Sequence, residues 1–263
     1  MRISLSALMG FFLGLGLFAL AVYLNTENYL MFFSLSSLLM VFGGTMAVAM
    51  ISFEGRNVML AFKEIIATLT TAKVDPRTLY EDVGVLIDWA KIVRRESLRK
   101  LENTVSLSAE DDQNFLGQCF VYLLSGYRGD KLRVLLQHAQ QSIYERKMTQ
   151  SKVLMTMASA SPAFGMIGTL VGLIIMLNNM NGDPSKIGAG LAVALLTTLY
   201  GVLMAQLIFK PAARKVEHKQ ELEAYRNKVL TEGVVLLSDG VSPAHIEDAM
   251  NAYLEPKYQF KRA

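Results

Sequence analysis

Enzymatic chemistry needs a nucleophile with its base, a metal cluster or a phosphate-cradling loop, and this sequence places none of them at working spacing. His138, His218 and His245 are far apart, and no Cys or carboxylate stands near them at metal-ligand intervals. No glycine-rich phosphate loop is present, so neither catalysis nor a bound cofactor is expected. Cys119 is the single cysteine; it cannot form an internal disulfide and reads as a small buried hydrophobe. Two patterns carry more information. Gly165, Gly168, Thr169 and Gly172 share one face at helical offsets, and so do Gly190, Ala194, Thr197, Thr198, Gly201 and Ala205. Small residues let helices approach closely, while hydroxyls bond across helices or coordinate a cation; the competing reading is plain packing, with each threonine bonded back to its own helix. Residues 93–102 are dense in both signs of charge, with Glu96 and Lys100 four apart in the favourable order. That stretch suits either a solvated helix face or a surface that docks on a partner of complementary charge.

Hydropathy sets the elements that carry these residues. Of 263 residues 52% are hydrophobic, and the mean hydropathy is +0.32. Four stretches are apolar over the roughly twenty residues that a bilayer-crossing helix needs: Ser4 to Leu24, Tyr29 to Phe53, Val153 to Met180 and Ile187 to Phe209. None contains Asp, Glu, Lys, Arg or His. Ionisable groups inside membranes mark ion and proton pathways, so any carboxylate that carries an ion must come from another polypeptide. The formal charge of +3 reports topology rather than nucleic acid, because Lys and Arg crowd into residues 54–152 and into the tail from Lys210. By the positive-inside rule both regions and both termini are cytoplasmic, and the two short connections, with Lys186 their one basic residue, face outward. Arg2 followed by an apolar run and Ala19-Leu20-Ala21 imitates a cleaved signal, but the run continues through Leu24 straight into a partner span, so a retained first helix is expected.

The cytoplasmic stretches read as helices. Asp75-Pro76 places a cap before a first-turn proline, and Leu79, Val83, Leu86, Ile87 and Ala90 follow at helical spacing. Ser108 with Asp111 resembles a capping box opening Asn114 to Leu124, and Asp130 is positioned to cap a further helix after Gly126-Tyr127-Arg128-Gly129. From Asp130 to Met180 only Pro162 and its neighbouring glycines interrupt the pattern, so one long helix should rise into the membrane; the fourth span should likewise run down past Pro211. The fold class expected is an all-α membrane protein with two transmembrane hairpins, a helical cytoplasmic domain, and third and fourth helices that extend into the cytoplasm. The division expected is 1–53 (first hairpin), 54–152 (cytoplasmic helices), 153–210 (second hairpin) and 211–263 (cytoplasmic tail).

The block from Ser161 to Leu173 (SPAFGMIGTLVGL), then Ile187-Gly188 and the run from Ala192 to Gly201 (AVALLTTLYG), resembles the MotA/PomA flagellar stator family, which is distantly similar to the ExbB and TolQ energisers. Gly43-Gly44, Arg94-Arg95-Glu96, Leu101-Glu102 and the tail residues Glu232-Gly233, Asp239-Gly240, Pro243, Ile246 and Tyr253-Leu254 extend the likeness over almost the whole chain. The resemblance implies an inner-membrane homopentamer surrounding a dimer of a single-span MotB/PomB-like protein whose membrane Asp carries the ion. It implies that ion flow turns the pentamer and that Arg94, Arg95 and Glu102 push on the rotor protein FliG. Pro162 and Pro211 match two prolines that couple ion binding to motion. Thr169, Thr197 and Thr198 match hydroxyl positions of sodium-driven members, so Na⁺ is the expected ion and H⁺ the alternative; Gly165, Gly168, Gly172 and Gly201 would serve helix packing. Ser34 and Ser159 stand where sodium-type relatives can carry Asp, and Asn103 replaces an acidic residue beside Glu102. The rival readings are an ExbB/TolQ-like energiser of an envelope process and a solitary transporter or structural membrane protein, with membrane lipid the one further partner.

Overall fold

The computed structural model describes residues 5–67, 76–104, 114–179 and 184–260, and among these every regular element is a helix. Contacts divide the chain into two units: Met1–Thr71 with Met148–Glu217, and Ala72–Lys147 with His218–Ala263. Among the described residues four helices are long and apolar enough to cross a membrane.

The first unit begins with α1 (Leu5–Asn25), then a 3-10 turn (Tyr29–Phe32) and α2 (Leu35–Ser52). The second apolar segment was expected to be helical from Tyr29, but its α-helix starts only at Leu35, after extended residues Phe33 and Ser34. Two contacts produce the break. The Ser34 hydroxyl accepts the Ser37 N–H at 3.3 Å as an N-cap. Tyr200 accepts the Ser34 N–H at 3.0 Å and donates its own hydroxyl to the Phe32 carbonyl at 2.6 Å. Backbone groups freed inside an apolar layer must find such partners, because no water supplies them. Ser37, Val41, Thr45 and Ala49 form the buried stripe of α2, and Gly44 lies under the ring of Phe164, where a Cβ would come within 2.1 Å of it.

Helix α3 (Gly55–Ala67) is amphipathic and buries Val58 and Ala61. The later α-helices of the chain are α4 (Pro76–Arg95), α5 (Leu98–Thr104), α6 (Phe115–Leu124), α7 (Gly129–Asn178), α8 (Pro184–Leu203), α9 (Lys210–Ser238) and α10 (Pro243–Asn251). Val153, Leu154 and Met157 of α7 pack with Ala49, Val58, Phe209, Ala213 and Val216 into the core of the first unit. The expected long third helix is α7, 50 residues without interruption even at Pro162. Between α8 and α9 lies a π-helical segment, Met204–Phe209, in which the Lys210 N–H reaches back to the Ala205 carbonyl. Pro211 has no N–H to donate and its ring crowds the preceding turn, so widening that turn lets helical backbone continue past it.

The second unit packs Leu79, Val83, Leu86, Ile87 and Ala90 of α4, at the spacing read from the sequence, against Leu101, Phe120, Leu132, Val234 and Ile246. Two ion pairs clamp it: Arg226 holds Asp82 bidentately, and Arg133 holds Glu232. Gly233 sits where a Cβ would be 2.8 Å from Leu86. Gly240 ends α9 with φ +72°, and the Val241 N–H returns to the Leu236 carbonyl at 3.2 Å, a terminator that glycine adopts without steric cost. Asp130 does not cap α7. The helix already begins at Gly129, which places Asp130 inside the first turn, where its charge opposes the positive end of the dipole. Asn114 occupies the cap position of α6 without a side-chain bond. Asp75, Ser108 and Asp111, expected to cap α4 and α6, lie outside the described residues, as do residues 180–183 between α7 and α8.

Candidate functional site

The two glycine and threonine faces meet. Along α7 and α8 the backbones touch so closely that a Cβ on Gly168 would stand 2.4 Å from the Thr197 side chain, one on Gly172 2.6 Å from the Ala194 nitrogen, and one on Gly165 3.0 Å from the Thr197 carbonyl. The approach is reciprocal: a Cβ on Gly190 would come within 2.8 Å of the Met176 nitrogen, and one on Gly201 within 2.7 Å of the Ser161 carbonyl. Glycine here supplies absence of bulk, which is what a small-residue helix interface requires.

This seam sorts the threonines. Thr197 is fully buried beneath Gly168, and its hydroxyl donates back to the Val193 and Ala194 carbonyls at 3.0 Å each. Thr169 and Thr198 instead share a hydrogen bond of 2.6 Å across the two helices. Thr169 also reaches the Gly165 carbonyl at 3.1 Å and the Ala194 carbonyl at 3.3 Å, and Thr198 reaches the Gly165 carbonyl at 3.3 Å. Two hydroxyls and two carbonyl oxygens thus converge, with Thr198 exposed and Thr169 half-buried. Chemically this is a cluster of neutral oxygen donors of the kind that replaces part of a cation's hydration shell. Ser161, one residue before Pro162, donates to the Gly201 carbonyl at 3.1 Å, and Pro162 itself lies against Gly201, so the proline is built into the same seam. Pro211 is exposed beyond the π segment and is not part of that cluster.

The charged stretch is divided between two helices. α4 ends at Arg95 and α5 starts at Leu98; the Ser97 hydroxyl caps the new helix by accepting the Lys100 N–H at 3.3 Å. Lys100 and Glu96 still pair, at 3.6 Å. Arg94, Arg95 and Glu102 are exposed, and none belongs to an ion pair among the described residues. Leu101, fully buried between them in sequence, anchors this rim to the core. Sequence reasoning missed the Ser34–Tyr200 contact, the π segment and the Asp82–Arg226 clamp; only the run of Pro211 after an apolar helix hinted at one of them.

The MotA/TolQ/ExbB proton channel family matches residues 108–228. The chemotaxis protein PomA of Vibrio alginolyticus is 30% identical over 251 residues, covering 95% of this chain and 95% of PomA. Motility protein A of Aquifex aeolicus is 32% identical over 212 residues, covering 81% and 82%. The chain belongs to the MotA/PomA family.

The fold of this MotA/PomA chain agrees: a structure of MotAB from C. jejuni superposes with a TM-score of 0.84 at 23% identity, covering 99% of this chain and 100% of that one. The chain is therefore a membrane-embedded flagellar stator subunit of MotA type, an ion-channel component and not an enzyme. Solitary transport and a purely structural role are set aside by that membership.

Proposed function

We propose that this subunit forms, with a MotB/PomB-like single-span partner, an ion path whose cation flow drives torque on the rotor protein FliG. The observation that carries the reading is the Thr169–Thr198 oxygen cluster standing in spans that lack Asp, Glu, Lys, Arg and His. A path built of neutral oxygens can strip part of a cation's hydration shell but cannot carry a proton on its own carboxylate, so the partner's membrane Asp supplies the charge. Na⁺ is the coupling ion, because the convergence of two hydroxyls with the Gly165 and Ala194 carbonyls suits a hard cation better than a packing role requires. Thr169 and Thr198 act directly; Thr197 holds the seam beside them. A homopentamer of this chain surrounds the partner dimer in the inner membrane, both termini cytoplasmic, with Arg94, Arg95 and Glu102 facing the rotor and Pro162 and Pro211 coupling ion passage to movement.

The deciding experiment is single-motor speed in cells that rely on this chain and its cognate partner, with sodium titrated at fixed pH and a protonophore added at fixed sodium. Speed that follows sodium and survives the protonophore is expected. Speed indifferent to sodium and abolished by the protonophore would keep the stator and assign H⁺. No rotation, with both proteins in the membrane, would favour the envelope energiser, a reading open because the matching family also includes TolQ and ExbB.

A further inference from the structure

The first unit carries an open groove of about 520 Å³ whose lining includes none of the residues of the oxygen cluster. Its walls come from three elements: Gly10 and Phe11 of α1, Ile65 and Ile66 of α3, and the stretch from the π segment into α9 that includes Leu207 and Pro211. The space beside Gly10 is open, since a Cβ there would meet nothing within 4 Å. The lining is apolar except for Gln206 and Lys215. Lys215 is half-buried and stands six residues beyond the last apolar residue of the fourth span, Phe209, on the side where basic residues concentrate. Lys63 precedes the Ile65–Ile66 wall on α3, and Lys210 and Arg214 share α9 with Lys215, against Glu64 and Glu217, so the flanking segments are net positive.

An apolar slot at this depth is filled by acyl chains rather than water, and a lysine whose stem lines the slot places its ammonium at headgroup level. The cytoplasmic leaflet holds the anionic lipids that basic residues attract. We propose that the groove binds one anionic phospholipid, an acyl chain lying along Phe11, Ile66 and Leu207 and the phosphate paired with Lys215. A chain seated there packs against Pro211, so the lipid becomes part of the wall beside the π segment.

The test is native mass spectrometry of the intact assembly, this chain with its cognate partner, taken from nanodiscs holding equal phosphatidylglycerol and phosphatidylcholine. The wild type should retain phosphatidylglycerol in preference to phosphatidylcholine. Lys215→Gln should reduce that preference about fivefold, the effect of one lysine near an anionic headgroup, and Lys215→Arg should keep it. Gly10→Phe fills the slot and should lower retention of both lipids with the assembly intact. An unchanged preference in Lys215→Gln would overturn the proposal. So would a wild type that retains neither lipid while Gln206→Cys cross-links to a second copy of the chain, which would make the groove a protein interface.

Discussion

Thr169 and Thr198, 29 positions apart in the chain, share a hydrogen bond of 2.6 Å across the seam of α7 and α8, while Thr197, the immediate neighbour of Thr198, turns its hydroxyl back into its own helix. Thr198→Ala should therefore leave the assembly in the membrane, at a stability cost of about 1 kcal/mol for its two interhelical bonds, and should sharply reduce sodium-dependent motor speed. Thr198→Ser should restore most of it. Full speed in the alanine variant would confine the pair to packing.

Glycine at the seam is a steric requirement. Gly172→Ala brings a methyl within 2.6 Å of the Ala194 nitrogen, a backbone atom that cannot step aside, and should destabilise by about 1–3 kcal/mol as an overpacked contact. Gly188→Ala meets nothing within 4 Å and should be silent. Thermal unfolding of the two variants in the same nanodisc separates them.

Arg94, Arg95 and Glu102 are exposed, so Arg94→Glu or Glu102→Arg should change stability by no more than about 0.5 kcal/mol. Torque at high load should fall in each. A variant that fails to assemble would show instead that the charge serves the fold.

The Asp82 side chain is 12% exposed and that of Arg226, its partner, 21%. Asp82→Ala leaves a guanidinium without its carboxylate in a largely buried setting and should cost about 3 kcal/mol. Glu81→Ala removes a pair whose side chains are 75% and 60% exposed and should cost less than about 0.5 kcal/mol. Chemical denaturation of the two variants checks the contrast.

Burial holds the Cys119 thiol above its ordinary value, opposed only weakly by its own backbone and by the charge of Arg226. The thiol should resist iodoacetamide at neutral pH until the second unit opens. Because the folded value is raised, the neutral thiol contributes its full stability below the unfolded value of about 8.5 and loses it as pH rises above that. The alkaline decline in stability should be shallower in Cys119→Ser than in the parent; equal slopes would contradict the assignment.

Much of this molecule is legible in one dimension. Four apolar runs, the basic segments between them and the 3.6-residue spacing of Leu79, Val83, Leu86, Ile87 and Ala90 specify an all-helical membrane chain, because hydropathy and periodicity are local properties that no distant contact reverses. The close seam was also foreshadowed, since Gly165, Gly168 and Gly172 recur at helical offsets. What the spacing left open was which hydroxyl crosses that seam. Thr197 and Thr198 differ by about 100° around the axis, and only the approach of α7 decides that one is buried and the other paired. The late start of α2 depends on Tyr200, more than 160 residues away in sequence. The break at Glu96–Ser97 and the π turn before Pro211 arise where a local bond or a missing N–H outweighs helical propensity. Sequence by itself determined the helices and their apolar faces; tertiary packing decided their rotation, their interruptions and the partner of each polar group, because those depend on atoms that the chain brings together only when folded.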